Sequence, residues 1–308
     1  MSISINKAMI ARKLSDVEGK TVAEISKIMG VKAETVTRYL REIRDHVEPK
    51  EAKILLFDVE TAPMEIWSWG IRDQYLGHFQ IKEEWFVISW AAKWLFGDEI
   101  MFDCVTPAES LAKNDMRVLK GIHDLFEEAN VVVAHNAARF DVRKLNYRFI
   151  THGYFKPSPY SVIDTLKQAQ KHFAASSHKL DHLTKTFGLS QKEETNFQLW
   201  VDCCEGSQTQ LDRMMSYNIS DVNALEGLYL FLRPWMTSHP NVAMLRGIKE
   251  NACANCGSTE LDWSIKNYPT PSGSFRAARC MDCGAICRSR FSAVTKEERA
   301  SSLVSVAR

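Results

Sequence analysis

An uninterrupted apolar run that leads straight into two carboxylates constrains the fold of this chain most strongly. Ile-Leu-Leu-Phe at residues 54–57 is followed by Asp58 and Glu60, with one residue between them. A short run of this kind predicts a strand buried on both faces, and because side chains alternate along a strand, both acids point to the same side. Neighbouring carboxylates repel each other and are costly to desolvate, so the pattern favours a divalent cation held by oxygen ligands, Mg²⁺ or Mn²⁺. The alternative is a strand that ends in a solvated acidic loop.

The composition is that of a globular protein of the cytoplasm. Hydrophobic residues make up 45% and charged residues 25% of the 308 residues, which is ordinary, and the length predicts two or three domains. The sequence has no apolar run as long as a membrane span, and its first residues lack the features of a signal peptide. We therefore expect a cytoplasmic protein with no membrane partner, whose eight cysteines do not form disulfides.

Basic residues are concentrated toward the two ends of the chain. Residues 1–50 contain 10 basic and 7 acidic residues, and residues 249–308 contain 9 and 6. Because the net charge of the whole chain is +1, the middle is acidic. This distribution fits metal-binding acids in the centre and nucleic-acid contacts at the ends.

Two helices separated by a glycine are predicted near the N-terminus. Apolar residues recur at helical spacing over residues 21–29, Gly30 interrupts them, and a second helix is predicted over residues 32–44. With an upstream helix at residues 7–14, the pattern resembles the helix-turn-helix of small DNA-binding regulators and predicts an all-α domain over residues 1–48. The alternative is a three-helix bundle used for protein contact or linkage. The side chains expected to face DNA are Lys32, Thr35, Arg38 and Arg41.

The central segment, residues 51–248, shows strands first and then strands that alternate with helices. A long helix is predicted over residues 208–232, where Pro234 stops it. This order of elements predicts an α/β domain with a mixed sheet covered by helices on both faces. The predicted strands lie near residues 53–61, 86–96, 99–105, 131–134 and 161–163.

Two further acidic motifs lie where α/β folds place their sites. The fourth predicted strand ends in His-Asn-Ala-Ala-Arg-Phe-Asp, which puts Asn136 at the strand end and Asp141 at the start of the next helix. The long helix carries Tyr217 and Asp221, which are four residues apart and therefore share a helical face. Strand ends and the helices that follow them are the usual positions of sites in such folds.

Phe-Asp-Val-Glu-Thr at residues 57–61, the His-Asn motif and Tyr-x-x-x-Asp, in this order, resemble the three exonuclease motifs of the DEDD superfamily of 3′–5′ exonucleases. The resemblance covers roughly residues 53–232 and implies a ribonuclease H-like fold, with a mixed five-stranded sheet flanked by helices. Tyr217 matches the tyrosine branch of the superfamily, because the histidine branch would carry His at the position of Ser216. The four acids that match are Asp58, Glu60, Asp141 and Asp221.

The resemblance also implies a two-metal hydrolysis of phosphodiester bonds. The four acids would bind two Mg²⁺ or Mn²⁺ ions, which stabilise the attacking and leaving oxygens of an in-line displacement. Tyr217 would orient the attacking water, and the product would be a nucleoside 5′-monophosphate. Asn136 and Phe140 are interpreted as supporting residues, the first through a strand-end hydrogen bond and the second through a core contact.

Aromatic residues are concentrated between residues 63 and 85, after the first strand. Such side chains could stack on bases. Aromatic residues at this density are more often part of a core, and we expect the core location. The residues are Trp67, Trp69, Tyr75, Phe79 and Trp85.

Two Cys-x-x-Cys pairs follow the central domain, and they are similar to the paired knuckles of a zinc ribbon. Four thiolates at this spacing form a closed tetrahedral site, so we expect one structural Zn²⁺ in a small domain over residues 249–291. Residues 292–308 are predicted to be a flexible tail. The arginines around the ribbon are interpreted either as phosphate contacts or as a solvated surface. The predicted ligands are Cys253, Cys256, Cys280 and Cys283.

Together these features predict a metal-dependent 3′–5′ exonuclease that acts on DNA in replication, repair or recombination. Its expected partners are single-stranded 3′ ends and duplex DNA, and a separate DNA polymerase or other replication protein, beside which it would proofread in trans. The three-part arrangement resembles exonucleases encoded by bacteriophages. Two alternatives stay open: a 3′–5′ exoribonuclease, and a DNA-binding regulator with an inactive ribonuclease H-like scaffold.

Overall fold

The structure is a computed structural model that describes residues 20–37, 51–72, 75–189 and 195–303. The chain divides into two compact units. One consists of residues 1–51 with residues 246–249, and the other of residues 52–245 with residues 250–308.

The described part of the N-terminal unit is helical on both sides of a glycine. Helix α1 spans Val22–Met29, and its first turn is closed by a capping box between Thr21 and Glu24. Gly30 ends the helix in the left-handed conformation, with φ of 62°, which glycine adopts without steric cost. Helical backbone resumes at residues 33–37.

Two of the predicted DNA-facing side chains lie in this described part. Lys32 is exposed and Thr35 is half-buried, while Ile25 and Val36 are fully buried. Arg38 and Arg41 lie outside the described residues, as do the upstream helix and the end of the second helix. The helix-turn-helix domain over residues 1–48 stays a prediction.

The larger unit contains two main sheets and a small hairpin. Five strands form one sheet in the order β5-β4-β1-β6-β7. β1 pairs with β4 and β4 with β5 in antiparallel fashion, whereas β1–β6 and β6–β7 are parallel. In chain order the strands are β1 Ile54–Thr61, β2 Glu65–Ile66, β3 Ile81–Glu83, β4 Val87–Trp94, β5 Ile100–Cys104, β6 Val131–Ala134, β7 Ser161–Asp164, β8 Leu261–Asp262, β9 Tyr268–Thr270, β10 Gly273–Cys280 and β11 Ile286–Ser292.

Helices flank this five-stranded sheet, so the predicted mixed α/β sheet is confirmed. The long predicted helix has the predicted bounds, whereas the helices at residues 107–111, 197–204 and 242–245 were not predicted, because a short segment shows too little apolar periodicity. The helices are α2 Pro107–Leu111, α3 Met116–Glu128, α4 Asp141–Thr151, α5 Thr165–His172, α6 Leu180–Thr186, α7 Phe197–Cys204, α8 Gln208–Leu232, α9 Val242–Leu245 and α10 Lys296–Ser301.

Alternation along β1 separates the two faces of the core. Leu55, Phe57 and Val59 pack in one cluster, which includes residues of α3 and α4. Ile54 and Leu56 pack in the other cluster, together with α6 and the C-terminal half of α8. Since Asp58 and Glu60 continue the row of Ile54 and Leu56, the two carboxylates lie on the face of the sheet that α8 covers.

The aromatic residues between β1 and β4 do not form a core, and the predicted core location is wrong for most of them. Trp69 is 99% exposed and Tyr75 is 98% exposed, and Trp67 and Phe79 are also exposed. The reason is local: β2 and β3 form a separate two-stranded sheet, which is too small to bury the residues that connect its strands. Only Trp85, at the end of the segment, is half-buried.

Strands β8 to β11 form the second main sheet, in which β10 is paired with all three of the others. Beyond it, α10 is an exposed helix within the segment predicted to be a flexible tail, and the tail assignment stays a prediction. None of the helices in the described ranges is long and apolar enough to cross a bilayer.

Candidate active site

Three carboxylates from two elements converge on one face of the five-stranded sheet, at its central strand β1. Asp58 and Glu60 project from β1, and Asp221 projects from α8, which packs across this face. Each residue offers an oxygen, and the three oxygens all lie within 4.8 Å of one another. Asp221 is buried and the other two are half-buried. The structure therefore brings together the first and third predicted motifs, which are more than 150 residues apart in sequence.

Asn218 fixes the position of the Asp58 carboxylate. It lies one helical turn before Asp221 on the same face of α8, and its Nδ2 donates a hydrogen bond to Asp58 Oδ2 at 2.5 Å. Its Oδ1 accepts a hydrogen bond from Ser89 Oγ at 3.3 Å. Asn218 is fully buried, so both ends of its amide are held inside the protein. A residue of this kind supports a metal ligand by orienting it.

Trp200 fixes the position of the Glu60 carboxylate in the same way. Its indole Nε1 donates a hydrogen bond to Glu60 Oε2 at 3.0 Å. The same ring packs edge-on against Tyr217, with 6.1 Å between the ring centroids. Tyr217 is 5% exposed and lines the same cavity as the acids, so Trp200 positions both a predicted ligand and the predicted water-orienting residue.

Asp141 begins α4 and lines the same cavity as the other acids. Its side chain is buried, and its Oδ2 has no hydrogen-bond partner among the residues that the structure describes. Burial raises the pKa of Asp141 well above its usual range, and the charge of Asp58 adds to the effect. A nearby cation would favour the ionised form of this carboxylate. Its role as a metal ligand stays a prediction.

The loop between β6 and α4 is held by Asp164 at the end of β7. The backbone N–H groups of Asn136 and Ala138 donate to the two Asp164 carboxylate oxygens at 3.1 and 3.2 Å. Asn136 has a positive φ of 78°, which asparagine tolerates better than most residues. The strand-end hydrogen bond expected for Asn136 is thus made by its main chain, and it fixes the approach of the chain to Asp141.

A cavity of about 900 Å³ opens over the acids. A second cavity of about 570 Å³ adjoins it and shares Phe140 and Thr195 with it. The second cavity is lined mainly by apolar and aromatic side chains, which include Met64, Trp85, Phe197 and Trp200. An acidic cavity next to an aromatic one matches the two chemical parts of a nucleotide, whose phosphate requires a cation and whose base can stack.

Phe140 does not make the predicted core contact. It is 36% exposed and lines both cavities. Phe140 ends the loop before α4, so its ring is directed outward. The ring of Phe149, which lies within α4, is buried. Lys144 lies 4.9 Å from the Phe140 ring and 4.0 Å from the Trp85 ring, and its Nζ donates to Thr61 Oγ1 at 2.9 Å. Burial lowers the pKa of Lys144.

The acids fit a hard divalent cation. Their ligand atoms are oxygens, they belong to three separate carboxylates, and Asn218 and Trp200 orient two of them. Oxygen donors of this kind suit Mg²⁺ and Mn²⁺. The buried Oδ2 of Asp141, which lacks a hydrogen-bond partner within the described ranges, is consistent with the same conclusion. The triad of Asp58, Glu60 and Asp221 could therefore bind metal.

A second group of possible ligands lies in the small sheet. The sulfurs of Cys253, Cys256, Cys280 and Cys283 lie within 4.8 Å of one another. The Cys253–Cys283 and Cys256–Cys280 pairs are each 3.6 Å apart. Four sulfurs at about 2.3 Å from a tetrahedral zinc would be about 3.8 Å apart, whereas a disulfide bond is about 2.05 Å long. The spacing fits a bound metal rather than disulfides.

The two halves of this cysteine cluster have the same backbone conformation. Gly257 and Gly284 directly follow the second cysteine of each pair, with φ of 81° and 78°. Their N–H groups donate to the carbonyls of Cys253 and Cys280 at 2.8 and 2.9 Å. Both turns require the left-handed conformation that glycine adopts most readily. The glycines thereby direct each cysteine pair toward a common centre.

Sequence analysis missed three residues that hold this site together: Asn218, Trp200 and Asp164. Asn218 could have been found, because it shares a helical face with Asp221 and a buried asparagine in a helix requires a polar partner. Trp200 lies in a short helix with no motif, and Asp164 acts through main-chain N–H groups. Nothing in their local sequence indicates the residues that they contact.

Residues 95–233 match the RNase_H_2 family model, described as RNase_H superfamily. The match contains Asp141, Tyr217 and Asp221, and β1 with the other two acids lies before it. No curated protein gives a significant match.

Among solved structures, the chain is similar to the family B DNA polymerase from the hyperthermophilic archaeon Pyrobaculum calidifontis. The sequence identity is 15% and the TM-score is 0.44. The similarity covers 72% of this chain and 32% of the polymerase, so the chain spans about a third of that protein's length. The mixed five-stranded sheet flanked by helices gives the central part of the chain a ribonuclease H-like α/β fold, which agrees with the family match.

Proposed function

We propose that this protein is a metal-dependent 3′–5′ exonuclease that releases nucleoside 5′-monophosphates from DNA. The observation that carries the proposal is the convergence of Asp58, Glu60 and Asp221, whose oxygens lie within 4.8 Å of one another in a cavity that Asp141 and Tyr217 also line. The ribonuclease H-like fold supports the proposal, because it brings the first and third of the motifs that resemble those of DEDD exonucleases together on one face of the sheet.

The chemistry of the site follows from the residues around the acids. Two divalent cations, when bound by the acids, would stabilise the attacking and leaving oxygens of the phosphodiester. The phenol of Tyr217 orients the attacking water by a hydrogen bond. A tyrosine phenol is a poor general base at neutral pH, so its contribution is one of orientation. Asn218 and Trp200 keep Asp58 and Glu60 in place before the substrate arrives.

The neighbouring aromatic cavity suits the base of the terminal nucleotide. Trp85, Phe140 and Phe197 present ring surfaces to it, and a terminal base that is not paired can stack on such rings. Lys144 supplies a positive charge at the boundary with the acidic cavity, where the phosphate of that nucleotide would lie. The arrangement therefore favours the frayed or single-stranded end of a chain over an internal bond in a duplex.

The N-terminal helices and the cysteine cluster would serve nucleic-acid binding and the stability of the small sheet, not hydrolysis. Lys32, Thr35, Arg38 and Arg41 would contact duplex DNA, and one Zn²⁺ bound by the four cysteines would hold the ribbon together. Proofreading beside a separate DNA polymerase is the role that this set of modules fits best.

A digestion experiment tests the function directly. The full chain is incubated with a 5′-labelled single-stranded DNA 20-mer and with the RNA of the same sequence, with and without added Mg²⁺ or Mn²⁺. We expect a ladder of DNA products shortened from the 3′ end, together with nucleoside 5′-monophosphates, only when the divalent cation is present. Preferential loss of the RNA would identify an exoribonuclease, and binding without cleavage under every condition would identify a regulator.

Replacement of Tyr217 by phenylalanine should slow hydrolysis without eliminating it. The variant keeps the ring that packs against Trp200 and removes only the hydroxyl. Loss of a positioned group of this kind costs about 10²–10⁴-fold in rate. Single-turnover rates on the DNA 20-mer measure the loss, and calorimetric titration with Mn²⁺ should give an unchanged affinity.

Tyr154→Phe is the matched control for this prediction. Its hydroxyl donates to the Met116 carbonyl at 3.2 Å, away from both cavities, so its removal should leave the rate unchanged. A collapse of Mn²⁺ affinity in Tyr217→Phe would contradict the role given to Tyr217 and place the phenol among the groups that bind the metal.

A further inference from the structure

One face of the small sheet carries a set of aromatic and basic side chains that the hydrolytic site does not use. Phe275 pairs with Tyr268 across β10 and β9. On the same face, Ala277 pairs with Arg288, and Arg279 pairs with Ile286 of β11. Paired residues share a face and residues two apart along a strand share a face. We call this set of Tyr268, Phe275, Arg279, Ile286 and Arg288 the ribbon face.

The ribbon face is directed away from the cysteine cluster. Cys280 and Cys287 alternate with Arg279 and Arg288 along their strands, so their sulfurs lie on the opposite side of the sheet. On the ribbon face Tyr268 is 49% exposed and Ile286 is 54% exposed, and both arginines are exposed. Cys253 and Cys280 are buried on the opposite side of the sheet, whereas the ribbon face is accessible to a ligand.

Arg288 is fixed in place although it is exposed. Its guanidinium carbon lies 4.3 Å from the centroid of the Phe275 ring and 5.9 Å from that of Tyr268. One donor, Nη1, is bonded to the Ser289 carbonyl at 3.2 Å. Among the described residues no carboxylate forms an ion pair with Arg288. The ring contact thus holds a planar cation whose other N–H groups are available for a ligand.

We propose that the ribbon face binds a segment of single-stranded nucleic acid. The guanidinium of Arg288 would contact a backbone phosphate, and the Tyr268 ring would stack on an adjacent base. The pairing of a positioned cation with an exposed aromatic ring matches the repeating phosphate and base of an unpaired strand. A duplex hides the faces of its bases, so it could use only the arginines. The site is separate from the acids, and the proposal does not depend on hydrolysis.

Equilibrium binding to a fluorescein-labelled thymidine 20-mer tests this proposal. The full zinc-loaded chain is used without added Mg²⁺ or Mn²⁺, and anisotropy is followed over a series of salt concentrations. Tyr268→Ala should weaken binding about tenfold, since one base loses its stacking partner. Arg288→Ala should weaken binding and lower the slope of log affinity against log salt by about 0.7. Arg288→Lys should keep the slope and lose part of the affinity.

Arg276→Ala is the matched control. Arg276 lies on the same strand but on the opposite face, over the Trp263 ring at 5.1 Å, and its loss removes the same charge from the same domain. We expect unchanged affinity and salt slope for this variant, and one zinc per chain in every variant. Equal losses in Arg276→Ala and Arg288→Ala would overturn the proposal in favour of a diffuse charge effect. Unchanged affinity in Arg288→Ala and Tyr268→Ala would overturn it in favour of a protein-binding face.

Failure of the ribbon-face proposal can be distinguished from failure of the exonuclease proposal. Release of nucleotides from a thymidine tetramer should be unchanged in Arg288→Ala, because Arg288 lines neither of the two cavities at the acids. A second outcome is that the chain shows no hydrolysis, while the ribbon-face variants still lose affinity for the 20-mer. In that case the exonuclease proposal fails and the ribbon-face proposal stands.

Discussion

Asp58→Ala is expected to abolish metal-dependent hydrolysis of the DNA 20-mer. The carboxylate is one of three whose oxygens meet within 4.8 Å, and Asn218 holds it in place. A bound cation contributes several kcal/mol to the stabilisation of the transition state, so its loss should reduce the rate by at least about 10³-fold. Single-turnover digestion with Mg²⁺ measures the rate, and calorimetric titration with Mn²⁺ should show weaker binding.

The isosteric variant Asp58→Asn separates charge from shape. Its amide oxygen can still accept the hydrogen bond from Asn218 Nδ2, whereas it is a poor ligand for a divalent cation. We expect the same loss of hydrolysis, with a melting temperature equal to or higher than that of the wild type when no divalent cation is added. The reason is that a charge which repels Glu60 and Asp221 has been removed.

A carboxylate elsewhere on the same domain provides the control. Asp124 lies on α3 in an exposed ion pair with Lys120, and such pairs contribute little to stability. Asp124→Ala should therefore hydrolyse DNA at the wild-type rate. Wild-type turnover by Asp58→Ala itself would show that β1 does not supply a metal ligand, and the assignment of the first motif would be wrong.

The strands of the sheet could be predicted because the sequence patterns that indicate them are local. An apolar run marks β1, the alternation of side chains places Asp58 and Glu60 on one face, and Pro234 marks the end of the helical segment that forms α8. Those elements determine most of the candidate site, since α8 packs on the face of β1 that carries the acids.

The parts that could not be predicted depend on contacts between distant segments. Trp200 reaches Glu60 across 140 residues, and its short helix carries no motif. Asn218 reaches Asp58 across 160 residues, and although its helical face could be predicted, its partner could not. The exposed aromatics near Trp69 were predicted wrongly for a related reason. Aromatic residues tend to be buried. Burial also requires a neighbouring layer that covers the segment, and only the tertiary structure determines whether such a layer is present.

Cys280→Ser is expected to remove zinc from the protein and unfold the small sheet. Only three fully buried residues form its apolar cluster: Cys253, Cys280 and Ala285. Such a small core cannot hold four strands together, so a metal bound by the cysteines would supply free energy of folding. Structural zinc sites in small domains contribute about 10–16 kcal/mol of apparent binding free energy, and loss of one ligand forfeits much of it. Elemental analysis should give one zinc per wild-type chain and none in the variant.

Cys287→Ser is the control for the ligand assignment. The Cys287 sulfur lies 3.8 Å from that of Cys253, close enough to replace a ligand, yet it is outside the group of four. We expect this variant to retain one zinc. Zinc loss in Cys287→Ser together with zinc retention in Cys280→Ser would show that β11, not β10, supplies the fourth ligand.

Hydrolysis of a short single strand should survive in Cys280→Ser. The ribbon contacts the end of the long helix through Asn255, whose Nδ2 donates to the carbonyls of Arg233 and Met236. Asp221 lies 12 residues before Arg233, which corresponds to about 18 Å along a helix axis. Fraying of the last turn therefore leaves the acids in place. A parallel loss of zinc and of hydrolysis of the thymidine tetramer would instead show that the cysteine cluster and the carboxylates form a single cooperative unit.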